Sequence, residues 1–229
     1  MFKRLLAIFS TTAAAAAPLS APAPKVTPHA ELIYPYVVPK EYLQHGPTQP
    51  DGITRTLGHD LSIVLVHDLD GLVQNVLPDD LKKLGLTPEQ AQKQADSNLA
   101  ALIKEQKVHS SLFASGPQGK PFALFGGHWA AAASSTWTGL YAALSKALGS
   151  EKLIVSIPHR EAMLVFPDGG PAYLEAMKAI IREKEADGAK LLTWNLFDLT
   201  KDGLKPRKNE VSHHWLSYDS STGQLNGSD

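Results

Sequence analysis

The chain contains no cysteine. That excludes disulfides, thiolate nucleophiles and Cys-ligated zinc, and leaves the redox character of its compartment open. It has no excess of either charge: 22 Lys and Arg stand against 23 Asp and Glu, for a formal net charge of −1. With a pI near 6.8, nothing in the composition forms the electrostatic footprint of a nucleic-acid or anionic-membrane binder. Beyond the N-terminal segment there is no apolar run long enough to span a bilayer. A Gly-x-Ser-x-Gly elbow, a Walker loop, a dinucleotide fingerprint and an internal repeat are likewise missing.

What is present is an ordinary globular composition, 43% hydrophobic and 20% charged, enough for one good core. Residues 1–27 stand apart. Met1-Phe2-Lys3-Arg4, then LLAIF and an alanine run ending in Ala-Pro repeats, have the plan of a secretory signal. The expected location is therefore periplasmic or secreted, with a disordered leader on a cytoplasmic protein as the alternative. One α+β domain is expected over 32–208, and a polar, frayed tail over 211–229.

The segment Leu153–Pro167, LIVSIPHREAMLVFP, sets the fold class. Two short β-branched or bulky runs, Leu153–Ile157 and Ala162–Phe166, flank Pro158-His159-Arg160-Glu161 and read as buried strands. Four residues suffice for an antiparallel reversal and are far too few for a parallel crossover. Around this hairpin the chain reads β-α-α-β-β-α-β-β-α-β-β, helices packed on one largely antiparallel, mixed sheet. The strands fall at Ile63–Val66, Leu112–Ala114, Phe122–Phe125, the hairpin, Leu191–Leu199 and a return after Gly203. The helices start at Pro78, at Pro88 behind a Thr87–Gln90 capping box, at Ser134 or Ser135, and at Pro171. Pro35 and Pro39 confine Glu31–Leu43 to extended chain along an edge or surface.

Several constellations invite chemistry. His67-Asp68-Leu69-Asp70-Gly71, closing a strand, resembles the nucleophile motif of haloacid-dehalogenase-type phosphatases. There Asp68 would attack phosphorus, Asp70 act as acid/base and Mg²⁺ screen charge, with Asp168 as a distal metal ligand. That family uses a parallel sheet, which the four-residue reversal opposes, so a strand-end turn is the plainer account. Among nine histidines, His59 and His67 stand eight apart and His213-His214 form a diverging pair; neither spacing is a known metal pattern, and no metal site is assigned. Gly169-Gly170-Pro171 offers backbone amides to an anion, or simply a helix entry. Arg160 and Glu161 provide either a ligand contact, with arginine as an anion fork, or an ion pair and hydrogen bonds holding the reversal.

The order of these motifs resembles the YtpQ-like bacterial family of unknown function. The matching positions are Asp68 at a strand end, Asp80-Leu81 before the Gly85-Leu86-Thr87 turn, and Ala95-Asp96-Ser97-Asn98-Leu99 on a helix. The family's Ser-rich helix start looks like Ser134-Ser135. Its Pro-x-Arg-Asp-x-Leu hairpin looks like Pro158 to Leu164, with Met163 inserted and Glu161 in place of Asp. Phe197 to Gly203 also fits, so the resemblance spans roughly 32–208. It implies family membership and no activity. The expectation is a non-catalytic binding or interaction module, with Arg160, Glu161, Asp68, Ser134 and Ser135 as candidate ligand-binding residues. No catalytic residue, metal or cofactor is assigned; the partner is a protein or small molecule of unknown identity. A small metal-dependent phosphatase or hydrolase using Asp68 and Asp70 is the alternative.

Overall fold

The computed structural model describes residues 27–45, 53–69, 72–186, 188 and 190–208, and the backbone of 217–219 and 224–226. The leader up to residue 26, Asp70 and the His213-His214 pair lie outside these. In chain order the elements are β1 (Ile33–Pro39), α1 (Tyr42–His45), β2 (Arg55–Gly58), β3 (Leu61–Asp68), β4 (Val73–Asn75), α2 (Pro78–Leu84) and α3 (Pro88–Lys104). There follow β5 (His109–Phe113), β6 (Phe122–Gly126), α4 (Leu140–Leu148), β7 (Leu153–His159) and β8 (Ala162–Pro167). The chain continues with α5 (Pro171–Glu185), β9 (Leu196–Thr200), β10 (Gly203–Pro206), β11 (Ser217–Asp219) and β12 (Gln224–Asn226).

The fold is α+β, and every pairing among the described strands is antiparallel. From α2 to β10 the order of helices and strands is the one expected; a short strand, β4, intervenes between β3 and α2 where the sequence pattern places none. The strands divide, however, between two main sheets: β10-β9-β7-β8-β6-β5, and a smaller one in which β3 pairs with β1, β2 and β4. The tail expected to fray contains the β11–β12 pair.

The small sheet arises from two features the sequence disguises. β1 carries Pro35 and Pro39 and is an edge strand, where a missing N–H is tolerated. It is nonetheless buried, with Ile33, Val37 and Val38 almost wholly shielded. β2 and β3 join through a two-residue turn, His59-Asp60, both at positive φ, between paired Gly58 and Leu61. That is the hairpin geometry whose twist suits antiparallel strands.

In the large sheet, β7 and β8 are buried along their whole length. Alternate residues face opposite layers. Ile154, Leu164 and Phe166 pack with Tyr173, Met177 and Ile181 of α5. Val155, Met163 and Val165 pack with Leu140 and Leu144 of α4, and this second core also takes Val37 and Leu61 from the small sheet and Leu99 and Leu102 from α3. The reversal is tighter than expected: His159 pairs with Ala162, leaving only Arg160-Glu161 in the turn. Between the Ser156 and His159 pairings β7 gains one residue, a bulge where Pro158 needs no ladder hydrogen bond.

Local chemistry explains most boundaries. Thr87 Oγ1 accepts from the Gln90 N–H and Gln90 Oε1 from the Thr87 N–H, closing the expected capping box. The helix expected from Ser134 is broken instead. A 3-10 segment, Ala132–Thr136, gives way to an extended Trp137, whose ring lies against Gly139, and α4 starts only at Leu140. The strand expected from Leu191 begins at Leu196, because the Asn195 N–H turns back onto Thr193 Oγ1.

The two sheets meet where β2 abuts β10. Gly58 sits at φ 101°, and a Cβ there would overlap Pro206 Cγ. Gly58→Ala should therefore destabilise by about 2–4 kcal/mol, positive-φ strain plus displacement of β10. Thr87→Ala, which removes only a cap, should cost about 1 kcal/mol. Chemical denaturation of both variants checks the ranking.

Candidate functional site

Of the residues singled out from the sequence, Asp68 and Arg160 lie at one face of the small sheet, beside the tip of the β7–β8 hairpin. Opposed residues share a face, so Tyr34, Tyr36 and Val38 of β1 lie with Val66, Val64 and Ser62 of β3. Asp68 continues that face at the end of β3, opposite Val73. Trp129, in the loop after β6, bridges both tyrosines: its ring centroid is 5.8 Å from that of Tyr34 and 5.6 Å from that of Tyr36, each edge-on. His128 lies 5.2 Å from the same indole.

Arg160 completes the cluster. Its guanidinium lies 4.5 Å from the Tyr36 ring centre, and Nη1 donates a 2.7 Å hydrogen bond to the Tyr36 hydroxyl. Nε is buried with no hydrogen-bond partner among the described residues, and no described carboxylate pairs with the side chain. The neighbouring Glu161 is exposed and points to no described cation, so the anticipated ion pair is replaced by the tyrosine contact. Burial pushes the Tyr36 hydroxyl pKa up, against the opposing pull of Arg160.

The loop is held from both sides. Behind Arg160, the Glu161 N–H donates to His159 Nδ1 (3.2 Å), which leaves Nε2 as the protonated nitrogen, 2.8 Å from Glu185 of α5. Gly188 lies so close that any Cβ there would collide with the His159 ring. On the other side, the Arg160 carbonyl accepts from the Ala132 N–H (3.0 Å). Ala130–Ala133 are all buried, and their small side chains let this segment pass between β1 and the hairpin.

Asp68 occupies the Tyr34 end of the face. Burial, then the Asp68 charge, raises the Tyr34 hydroxyl pKa. Burial lowers that of His128 while Asp68 opposes it. Ser134 and Ser135 belong to the wall behind the site. Both are buried; Ser134 Oγ donates to the Ala130 carbonyl at 3.4 Å, and Ser135 Oγ has no partner among the described residues. Tyr34, Tyr36, His128 and Trp129 escaped the sequence reading. The Tyr-Pro-Tyr spacing of two, which puts both rings on one side of a strand, was the available signal.

The remaining constellations are structural. His59 lies in the hairpin turn rather than along a strand, its Nε2 bonded to the Leu196 carbonyl at 2.9 Å and its ring edge-on to Phe197. Asp168 is bound by Arg207 at 2.9 Å and accepts the Gly170 N–H at 3.3 Å, so its carboxylate is taken up within the chain at the glycine-rich entry of α5. Arg207 also binds Asp198, and the shallow depression beside them, about 600 Å³, is ringed by charges of both signs. Among the described residues no group of His, Asp and Glu is arranged to hold a metal ion. No described helix is long and apolar enough to cross a membrane.

No protein-family model, curated protein or solved structure matches this chain.

His67, 4% exposed, is packed under α2 with neither ring nitrogen hydrogen-bonded among the described residues; the Asp80 carboxylate stands 3.9 Å away. Burial lowers its pKa, outweighing the upward pull of Asp80, while His29 adds to the lowering. The folded protein thus binds this proton less readily than the unfolded chain. The contribution to stability is complete above about pH 6.5 and is lost as pH falls toward the folded-state value. Denaturation midpoints between pH 7.5 and 5 should fall less steeply for His67→Leu than for the natural chain.

Proposed function

We propose that the protein is a binding module whose ligand carries an anionic group, taken up by Arg160, on a flat apolar body resting against Trp129 and Tyr34. The observation that carries this reading is the Arg160 guanidinium. It is half-buried, oriented on Tyr36 and without a carboxylate partner among the described residues. A guanidinium offers five donors in a planar fork suited to carboxylate or phosphate. Aromatic walls add contact area at low entropic cost.

The order of motifs around Asp68, Asp80, Asn98, Ser134 and Arg160 supports membership of the YtpQ-like family, a resemblance that brings no activity with it. The basic and apolar leader supports an exported location. The hydrolase alternative finds less support. The strand bearing Asp68 runs antiparallel to each of its three neighbours, whereas haloacid-dehalogenase-type phosphatases use a parallel sheet.

Phenyl phosphate and benzoate are suitable probes, with benzyl alcohol as the neutral comparison. Tryptophan fluorescence titration should show saturable binding of the two anions and none of the alcohol. Arg160→Gln should weaken anion binding at least about tenfold, or 1.4 kcal/mol. The variant should still fold. It loses one charged hydrogen bond and one cation–π contact, together about 2–4 kcal/mol, against a typical domain stability of about 5–15 kcal/mol. Equal binding by variant and natural chain would reject the reading. Mg²⁺-dependent release of phenol, abolished by Asp68→Asn, would put the hydrolase in its place.

A further inference from the structure

His67 of β3 is adjacent in sequence to Asp68 and, by strand alternation, points to the opposite side of the small sheet, under α2. It is almost wholly buried, and among the described residues neither ring nitrogen has a hydrogen-bond partner. The charged and titratable groups around it come from few elements. α2 presents Asp80, whose carboxylate is 3.9 Å from Nε2, with Lys83 behind it at 3.7 Å. The segment before β1 presents His29, itself 3.2 Å from Glu31. β1 and β4 place Ile33 and Gln74 opposite the imidazole. From α3, Asn98 reaches the start of β1 and Asp96 turns to Arg55. Asp80 has a task of its own: Oδ2 accepts the Leu77 N–H at 2.9 Å and so caps α2. A protonated imidazole carries two N–H donors, and among the described residues no acceptor stands within hydrogen-bonding distance of either nitrogen.

We propose that α2 is an acid-operated flap, released from β3 when His67 takes up a proton. The helix is built to move as a unit. It has seven residues, too few to persist in isolation, and Leu81 is its only fully buried side chain. Gly85 closes it in the left-handed conformation (φ 65°), and α3 starts afresh on its own Thr87–Gln90 cap, so α2 can leave without unwinding its successor. A segment with so little buried contact opens locally, at a lower free energy than global unfolding. With α2 lifted, the imidazole reaches water and binds its proton at the ordinary histidine value of about 6.5. With α2 closed, the proton is held less readily, so opening grows as pH falls below that value. Asp80 works against this, since its charge steadies a proton on the closed imidazole. With one proton exchanged, linkage lets the opening constant rise at most about 30-fold between pH 7.5 and 5. The flap lies across the small sheet from the Arg160 cluster and works without any ligand there.

Amide hydrogen exchange of the full chain, corrected for free-amide rates at each pH, reads the flap directly. Protection of the Leu81–Leu84 amides should fall at least about fivefold from pH 7.5 to 5, short of the ceiling of about 30-fold. It should change little in low urea, because the opening exposes little surface. The β7–β8 amides should stay at least about tenfold better protected throughout and lose protection as urea is added. His67→Leu should make α2 protection independent of pH over this range, and His67→Gln should do the same if the leucine variant does not fold. Asp80→Asn keeps an oxygen for the Leu77 N–H and removes the charge, so it should steepen the response toward the ceiling. A purely structural Asp80 would not give that result. α2 protection that tracks β7–β8 in both pH and urea overturns the flap. So does a pH response that survives the loss of His67, or one that Asp80→Asn flattens or leaves unchanged.

Discussion

Everything else in the molecule is arranged around the β7–β8 pair, and its register is the constraint that matters most. Both strands are buried on both faces, each large apolar side chain contributing about 1.5–3 kcal/mol by leaving water. Yet a one-residue slip would only exchange one apolar set for another, Val155 and Val165 for Ile154 and Phe166. Hydrophobic pattern alone therefore specifies this register weakly. The specification comes from the end of the hairpin. Pro158 can occupy the bulge without wasting a donor, its carbonyl takes the Leu192 N–H, and His159 is clamped between the Glu161 amide and Glu185.

That clamp also positions the candidate site. Once the extra residue at the bulge has turned the end of β7, the chain reverses in two residues and Arg160 leaves the large sheet toward the small one. The approach is possible because the segment beside it is Ala130–Ala133. A bulkier run could not lie between β1 and the hairpin while Ala132 bonds the Arg160 carbonyl. Backbone packing, rather than an ion pair, brings the guanidinium to Tyr36.

The hairpin, the capped α3 and the order of elements from α2 to β10 were legible because each depends on local signals: β-branched runs, a capping box, glycine stops. The division into two sheets was not. It rests on Gly58 meeting Pro206 and on β1 joining β3, contacts far apart in sequence. Serine favours the N-cap, so Ser134 and Ser135 suggest a helix start, but the crowding of Trp137 against Gly139 starts the helix later and leaves both in the wall. Arg160 and Asp68 were identifiable as polar residues at strand ends. Their aromatic company was hidden in a proline-rich stretch and an alanine-flanked tryptophan, both of which look like connecting chain.

Arg207 is the natural comparison for Arg160. Arg207 sits between Asp168 and Asp198 and accepts no further acid without giving one up; it stitches β10 to β9 and to the entry of α5. Arg160 is comparably withdrawn from water but meets a phenol instead. A neutral hydroxyl returns only part of the solvation a guanidinium loses, and the aromatic face beneath returns a little more. A carboxylate one residue away, on Glu161, would complete the compensation, and it stays in solvent. If the role of Arg160 were to hold the reversal, the paired solution seen at Arg207 would serve better. An arginine held in place yet left short of an acid is arranged to receive one from outside the chain.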